Sequence, residues 1–158
     1  MDPFDNAQDK KVFIASDHAG FLRKEEVKNL LKSKRIEFED LGPAELEPGD
    51  DYPDFGGKVA EAVAAGKGVG ILACDTGIGM DIVANKHTGV RASLATNAFM
   101  AKRAKEHNNA NVLVIGAEIN DWTTTEQIVM TWLLTPFSNE ERHKRRLEKI
   151  KVIESSNV

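Results

Sequence analysis

The sequence is poor in the residues that mark several classes of protein. Its single cysteine, Cys74, permits no disulfide within the chain, and one thiol cannot by itself supply a structural zinc site. No apolar run approaches the roughly 20 residues that a membrane-spanning helix needs. These shortages argue against a disulfide-stabilised secreted domain and against a membrane span, and they favour a reducing, cytoplasmic compartment.

Positive charge is also in short supply. The chain has 21 Lys and Arg against 25 Asp and Glu, a net charge of -4 and a pI near 5.6. Because nucleic acids and anionic membranes attract proteins through excess Lys and Arg, the whole-chain charge argues against both as partners. The 158 residues, 41% hydrophobic and 29% charged, suit one globular domain. We expect residues 1–10 to form a flexible leader, neither secretory signal nor transit peptide, and residues 11–158 to form one domain that includes a C-terminal helix.

What the chain does contain is an alternation of short apolar runs and helix-period segments. The predicted strands cover residues 12–15, 36–41, 69–73, 90–95 and 112–115, and the predicted helices cover 21–34, 52–65, 80–86, 98–106, 124–134 and 139–153. In the first helix the core stripe is predicted to hold Leu22, Val27, Leu30 and Leu31. This order predicts an α/β fold, a three-layer αβα Rossmann-like domain with a five-stranded parallel sheet, whose ligands bind at the carboxyl ends of the strands.

The most informative segment is residues 74–79, which we call the thiol loop. It reads Cys-Asp-Thr-Gly-Ile-Gly directly after the apolar third strand. Glycines let backbone N–H groups approach a ligand, and such donors could hold a Cys74 thiolate below its free pKa of about 8.5. Cys74 would then serve as nucleophile or base. The structural alternative is a small buried cysteine that ends a core strand.

Other candidates are weaker when taken alone. Asp17 and His18 follow the first strand, where they form either a ligand contact or an ordinary turn. His107 and Asn108 end the helix before strand five, a position that can fold back to the same edge or face a partner subunit. Arg142 and Arg146 share a helix face and suit phosphate, although a solvated face or a subunit interface is the default interpretation.

Cofactor motifs are incomplete or missing. Gly77-Ile78-Gly79 lacks the third glycine of a dinucleotide fingerprint, and there is no Walker A loop, so nicotinamide binding is a weak alternative. No pair of histidines has the spacing of metal ligands. Nothing in the sequence requires a metal or another cofactor.

Six motifs, in order along the chain, closely resemble the type B ribose-5-phosphate isomerase family, which includes the galactose-6-phosphate isomerase subunits. They are Ser16-Asp17-His18-Ala19-Gly20, Asp51-Tyr52-Pro53, Cys74-Asp75-Thr76-Gly77-Ile78-Gly79-Met80, Ala84-Asn85-Lys86, His107-Asn108-Asn109-Ala110-Asn111-Val112 and Arg142-His143. The resemblance implies a metal-free aldose-ketose isomerase that interconverts ribose 5-phosphate and ribulose 5-phosphate through a cis-enediolate. It also implies sites assembled across a homodimer, with a dimer of dimers as an alternative.

The resemblance assigns a role to each matching residue. Cys74 would move the proton between C2 and C1, and His107 would help to open the sugar ring. Thr76, Gly77 and Gly79 would stabilise the enediolate, and Asp17 and Asn108 would hold sugar hydroxyls. The phosphate would be bound by His18, Arg142 and Arg146, and Tyr52 would be an aromatic residue at the rim of the site.

Three residues depart from the family pattern. Asp75 replaces a usual glycine, Asp81 a common serine, and Glu118 an arginine that often faces phosphate in the ribose enzymes. An anion beside a phosphate is repelled, so an isomerase for another sugar phosphate, such as galactose 6-phosphate, stays an alternative. A second alternative is a non-catalytic protein that binds a sugar phosphate.

Overall fold

The computed structural model describes residues 10–157, and the expected leader, apart from Lys10, lies outside the described residues. The strands are β1 Val12–Ser16, β2 Phe38–Asp40, β3 Val69–Cys74, β4 Ala92–Leu94 and β5 Val112–Gly116. The helices are α1 Phe21–Ser33, α2 Tyr52–Ala64, α3 Ile78–Ala84, α4 Ala98–Asn108, α5 Trp122–Leu134 and α6 Glu141–Ser156. None of the helices in this part of the chain is long and apolar enough to cross a bilayer.

The five strands form one parallel sheet in the order β2-β1-β3-β5-β4. The central strand β3 is buried along its whole length, as its unbroken apolar sequence predicts for a strand covered on both faces. Its register aligns Gly70 with Val112 and Cys74 with Gly116. Strands β1, β3 and β5 therefore begin together at one edge, the amino edge, and end together at the other, the carboxyl edge.

Two hydrophobic clusters lie on opposite faces of the sheet. On one face, α1, α4 and α5 pack on Ile14, Ile71 and Leu113, with Trp132 fully buried among them. On the other face, α2 and α3 pack on Phe13 and Leu72, and the Cys74 side chain belongs to this second cluster. The predicted three-layer α/β fold is confirmed.

The edge strands are shorter than the sequence predicts. The structure has β2 over three residues and β4 over three, although apolar patterning predicted six at each place. Each edge strand has a hydrogen-bonded neighbour on one side alone, so pairing ends where that neighbour turns away.

The predicted core stripe of α1 is wrong at one position. Leu22 is 73% exposed, whereas Lys24 is fully buried and donates hydrogen bonds to Asp40 at 2.9 Å. A lysine can occupy this place because its ammonium group is paired with a carboxylate and its stem packs against apolar surface. Periodicity alone cannot identify a buried ion pair.

Candidate active site

The thiol loop lies at the carboxyl edge of the sheet. Cys74 ends β3 with 6% of its surface exposed. Gly77 then adopts a left-handed conformation, with φ at 84°, and begins α3. A Cβ atom on Gly77 would lie 2.6 Å from the Leu94 side chain, so both the backbone conformation and the close packing require glycine here.

Burial dominates the chemistry of Cys74. It raises the pKa of the thiol above its ordinary value, and the negative charge of Asp17 raises it further. Hydrogen bonds from the backbone N–H groups of Gly77, Met80 and Asp75 oppose this rise without overcoming it. The expected thiolate with a lowered pKa is therefore wrong for the substrate-free chain, because desolvation of the charged form outweighs the donors of the loop.

The turn after β1 places Asp17 beside the thiol. The carboxylate of Asp17 is buried and accepts a hydrogen bond from the Gly20 backbone N–H at 2.9 Å. Gly20 packs directly on β3, since a Cβ atom there would lie 2.4 Å from the backbone of Ala73 and 2.7 Å from the nitrogen of Cys74. The missing side chain of Gly20 thus brings the first and third motifs into contact.

His18 is held by a residue that the sequence did not single out. Its ring Nδ1 lies 2.7 Å from Asp50 Oδ1, and the same oxygen accepts the His18 backbone N–H at 2.9 Å. The hydrogen bond to Asp50 raises the pKa of His18, against a smaller lowering by burial. The sequence signal was slight: Asp50 lies directly before the Asp51-Tyr52-Pro53 motif, in a loop that periodicity does not resolve.

Tyr52 begins α2 and covers the start of α3. A Cβ atom on Gly79 would lie 2.7 Å from the Tyr52 ring, so the absent side chain gives the aromatic ring its place beside the thiol loop. Tyr52 keeps part of its surface exposed. Thr76 is half-buried in the same loop, where its Oγ1 accepts the Ile78 backbone N–H at 3.3 Å.

The three acidic departures lie around this loop. Asp75 and Glu118 are both exposed, and the Glu118 backbone N–H donates to the Asp75 carbonyl at 3.0 Å. Asp81, in the first turn of α3, is partly buried, and burial raises its pKa while a hydrogen bond from the Leu94 backbone lowers it. The rim near the thiol loop therefore carries acidic rather than basic side chains.

His107 and Asn108 lie far from the thiol loop of the same chain. They end α4, which runs back to the amino edge, where Val112 pairs with Gly70. From there to Cys74 the strand rises about 13 Å along β3. The helix α4 also packs on the face opposite that of the Cys74 side chain. The sequence left two positions open for His107, one beside the thiol loop of its own chain and one facing a partner subunit. The fold excludes the first.

His107 belongs to a cluster formed with α6. Its ring centroid lies 4.2 Å from that of His143, and Arg103 approaches its Nε2 at 3.1 Å. His143 is buried and its Nδ1 lies 2.7 Å from Ser138 Oγ. Burial lowers the pKa of His143, as does the charge of His107.

The two arginines lie on the same helix and close to this cluster. Arg142 and Arg146 are exposed, and their positive charges also lower the pKa of His143. Arg142 Nε contacts Glu140 Oε2 at 2.7 Å. The guanidinium groups are thus available to an anion at the surface, next to His107.

One chain therefore presents two separate groups of candidate residues. We call Asp17, His18, Tyr52, Cys74, Thr76, Gly77 and Gly79 the thiol half-site, and His107, Asn108, Arg142 and Arg146 the helix half-site. Among residues 10–157, no group of three or more His, Cys, Asp or Glu side chains could hold a metal ion.

A family model described as ribose/galactose isomerase matches residues 12–150, and these residues include every member of both half-sites. The chain belongs to the ribose/galactose isomerase family. Among curated members, ribose-5-phosphate isomerase B of Escherichia coli is 37% identical over 146 residues, which cover 92% of this chain and 97% of that protein.

Solved structures of the family share the whole fold. Ribose-5-phosphate isomerase B of Clostridium thermocellum superposes with a TM-score of 0.90 at 43% identity, covering 94% of this chain and 99% of that one. The enzyme of Mycoplasma genitalium, solved with bound ribulose 5-phosphate, gives a TM-score of 0.89 at 39% identity and covers 92% of this chain and 96% of that one. The resemblance drawn from the six motifs is confirmed.

Proposed function

We propose that this member of the ribose/galactose isomerase family interconverts ribose 5-phosphate and ribulose 5-phosphate in the cytoplasm, without a metal or redox cofactor. The observation that carries the proposal is the position of Cys74, a lone thiol at the carboxyl edge among the backbone N–H groups of Asp75, Gly77 and Met80. A reducing cytosol keeps such a thiol free.

The reaction needs a base on one face of the sugar. The Cys74 thiolate takes the proton from C2 of the open-chain aldose, and the electron pair moves toward the C1 oxygen to give a cis-enediolate. The Cys74 thiol, whose proton can exchange with solvent, then delivers a proton to C1 while the C2 hydroxyl proton passes to the C1 oxygen, which gives the ketose and regenerates the thiolate. Thr76 and the backbone N–H groups of the loop stabilise the oxyanion only as its charge develops, which lowers the barrier without tightening substrate binding equally.

A raised thiol pKa suits this base. Abstraction of a carbon-bound proton is easier for a stronger base, and a desolvated thiolate is stronger than one in water. Because the raised pKa also disfavours ionisation, only a small fraction of Cys74 is a thiolate at neutral pH. We therefore expect kcat/KM to rise with pH into the alkaline range.

Two copies of the chain complete the site. We propose that the helix half-site of one protomer covers the thiol half-site of its partner, so that His107 reaches the sugar ring oxygen and opens the ring. Asp17 and Asn108 would hold hydroxyls, while His18, Arg142 and Arg146 would bind phosphate from the two sides. Fixing the phosphate far from the reacting carbons orients C1 and C2 against the thiol.

The acidic side chains near the thiol loop affect which sugar phosphate the site can bind. Asp75 and Glu118 repel an anion that lies close to them, so the phosphate must be bound on the side of His18 and the two arginines. This arrangement is compatible with a five-carbon sugar phosphate, and it leaves galactose 6-phosphate and other hexose phosphates as competing substrates. A panel of pentose and hexose phosphates, scored by ketose formation, separates these substrates.

The deciding experiment follows solvent deuterium at C2 of ribose 5-phosphate during incubation with the purified protein. We expect exchange and ketose formation with the wild type, and a loss of at least about 1,000-fold in both with Cys74→Ala, which lies within the range of single general-base effects. His107→Gln should slow turnover, whereas the matched variant His87→Gln should not, because His87 belongs to neither half-site and its ring hydrogen-bonds to the Val83 carbonyl on α3.

Two outcomes would contradict the proposal. Near-normal isomerisation by Cys74→Ala would remove the assigned base. Tight binding of ribose 5-phosphate by the wild type, without exchange at C2 or turnover of any sugar in the panel, would instead identify a sugar-phosphate-binding protein.

A further inference from the structure

Two adjoining cavities lie at the amino edge of the sheet, at the opposite edge from the thiol half-site. The larger, about 470 Å³, is bounded by the apolar end of α5 and the segment that follows it, from Trp132 to Phe137. The smaller, about 330 Å³, lies beneath the first residues of β1, β3 and β5. They share Lys10, Val69, Lys105 and Asn109, so they form one continuous cleft of the size that small ligands occupy.

The smaller cavity is strongly basic in an otherwise acidic protein. Five cations line it, and none of the described residues that line either cavity is acidic: the cations are Lys10, Lys11, Lys67, Arg91 and Lys105. Lys11 is paired with Glu39 at 2.7 Å, and Arg91 also experiences the charge of Glu154 on α6. The smaller cavity therefore has a net positive lining, although the chain carries -4 overall.

Lys105 lies where the two cavities meet. Its Nζ lies 4.7 Å from the centroid of the buried Trp132 ring. Burial, followed by the charges of Lys10 and Arg91, lowers the pKa of Lys105 to about 8. Lys105 is partly buried, and removing part of its ammonium hydration beside two like charges is unfavourable unless an anion compensates it.

The cleft adjoins Asn108, whose carbonyl accepts a hydrogen bond from Arg91 at 3.1 Å, but it lies on a different side of α4 from His107. Lys105 and His107 are two positions apart, so they project about 200° apart around the helix. Lys105 faces Trp132 on α5, whereas His107 faces His143 on α6. A ligand in the cleft would therefore not contact His107, and the thiol loop lies at the opposite edge of the sheet.

We propose that this cleft binds an organic phosphate with a ring-shaped body, such as a nucleoside polyphosphate. The phosphates lie against Lys67, Arg91 and Lys105, and the ring occupies the larger cavity beside Pro136 and Phe137. The amide groups of Asn109 and Asn139, which also line the larger cavity, supply hydrogen bonds to the polar atoms of the ring or sugar.

The test is calorimetric titration with ATP, pyrophosphate and adenosine at pH 8, near the pKa of Lys105. We expect ATP to bind more tightly than either part, in the presence of saturating ribose 5-phosphate as well as in its absence. Because a bound anion keeps Lys105 protonated, binding should take up protons, which is measured by comparing buffers of different ionisation enthalpy. Lys105→Met should weaken ATP binding about tenfold and abolish the proton uptake.

Lys102→Met is the matched control, since Lys102 is exposed on the same helix and lines neither cavity. It should leave the affinity within about twofold of the wild type. Lys67→Gln, at the exposed end of the cleft, provides a second variant that should weaken ATP without disturbing the interior. Displacement of ATP by ribose 5-phosphate, equal effects of Lys102→Met and Lys105→Met, or no ATP binding would each overturn the proposal.

Discussion

The thiol of Cys74 is subject to opposing influences within a few ångströms. Burial and the Asp17 carboxylate favour the neutral thiol, while three backbone N–H groups favour the thiolate. Because the chain has no other cysteine, the ionisation of this one group can be followed by alkylation without interference.

We predict that Asp17→Asn lowers the pKa of Cys74. The substitution removes a negative charge beside the thiol and keeps an oxygen that can accept the Gly20 N–H. The pH profile of iodoacetamide alkylation should move to lower pH, so that alkylation at neutral pH becomes faster. Asp75→Asn is the control, because the exposed Asp75 affects the thiol through its backbone N–H and not through its carboxylate. An equal shift in both variants would contradict the assignment to Asp17.

His18 gives a second prediction. Its raised pKa means that the ring keeps its positive charge to a higher pH than a free histidine, and loses it as the pH rises through the raised value. If His18 binds phosphate, the KM for a sugar phosphate should increase over that pH range. Asp50→Asn should move the increase to lower pH, because the strongest cause of the raised pKa is lost.

The neighbouring variant Asp51→Asn serves as its control. The Asp51 side chain makes no capping hydrogen bond at the start of α2, and it is exposed. Its KM profile should follow that of the wild type. Coincident profiles for Asp50→Asn and the wild type would show that His18 is not the titrating group.

The contact between the start of α1 and the end of β3 depends on a glycine. Gly20 precedes α1 and packs on the backbone at the end of β3, whereas Gly57, inside α2, has nothing within 4 Å of the place where a Cβ atom would be. Substitution by alanine should therefore have opposite effects on stability at the two positions.

We predict that Gly20→Ala destabilises the protein by about 3 kcal/mol, since the β3 backbone must move to admit the methyl group. Gly57→Ala should stabilise it by about 1 kcal/mol, because alanine favours a helix interior and meets no neighbour. Urea denaturation at fixed protein concentration measures both. Equal stabilities for the two variants would contradict the contact between the first and third motifs.

The burial and length of helices and strands were predictable from the sequence where the local pattern agrees with the tertiary environment. The continuous apolar run of β3 lies in the core as expected, and so do Val27, Leu30 and Leu31 of the predicted α1 stripe. The lengths of the edge strands and the burial of Lys24 were not predictable, because neighbouring strands and an Asp40 carboxylate distant in sequence decide them. Local periodicity carries no information about either.

The fold of one chain separates the proposed catalytic thiol from the proposed ring-opening histidine. Parallel strands joined by right-handed crossovers send each helix back to the amino edge, so a residue at the end of α4 cannot meet one at the end of β3 on the other face. A second copy related by a two-fold axis could bring the two half-sites together, and such a dimer would contain two complete sites.

Mixing two impaired variants tests this arrangement. If the half-sites combine across a dimer, equal amounts of Cys74→Ala and His107→Gln chains, unfolded and reassembled together, form heterodimers with one intact site and one doubly altered site. With half of the dimers mixed, activity should recover to about a quarter of that of the wild type. Sites built within single chains would leave the mixture as inactive as the separate variants.

The sequence by itself determined the fold class, the family and the identity of the candidate residues, because strand periodicity and the six motifs are properties of short segments. Only the tertiary structure decided the environment of Cys74, the pairing of His18 with Asp50 and the separation of His107 from the thiol loop. Burial, charge and distance between segments depend on how distant parts of the chain pack, so no local pattern contains them.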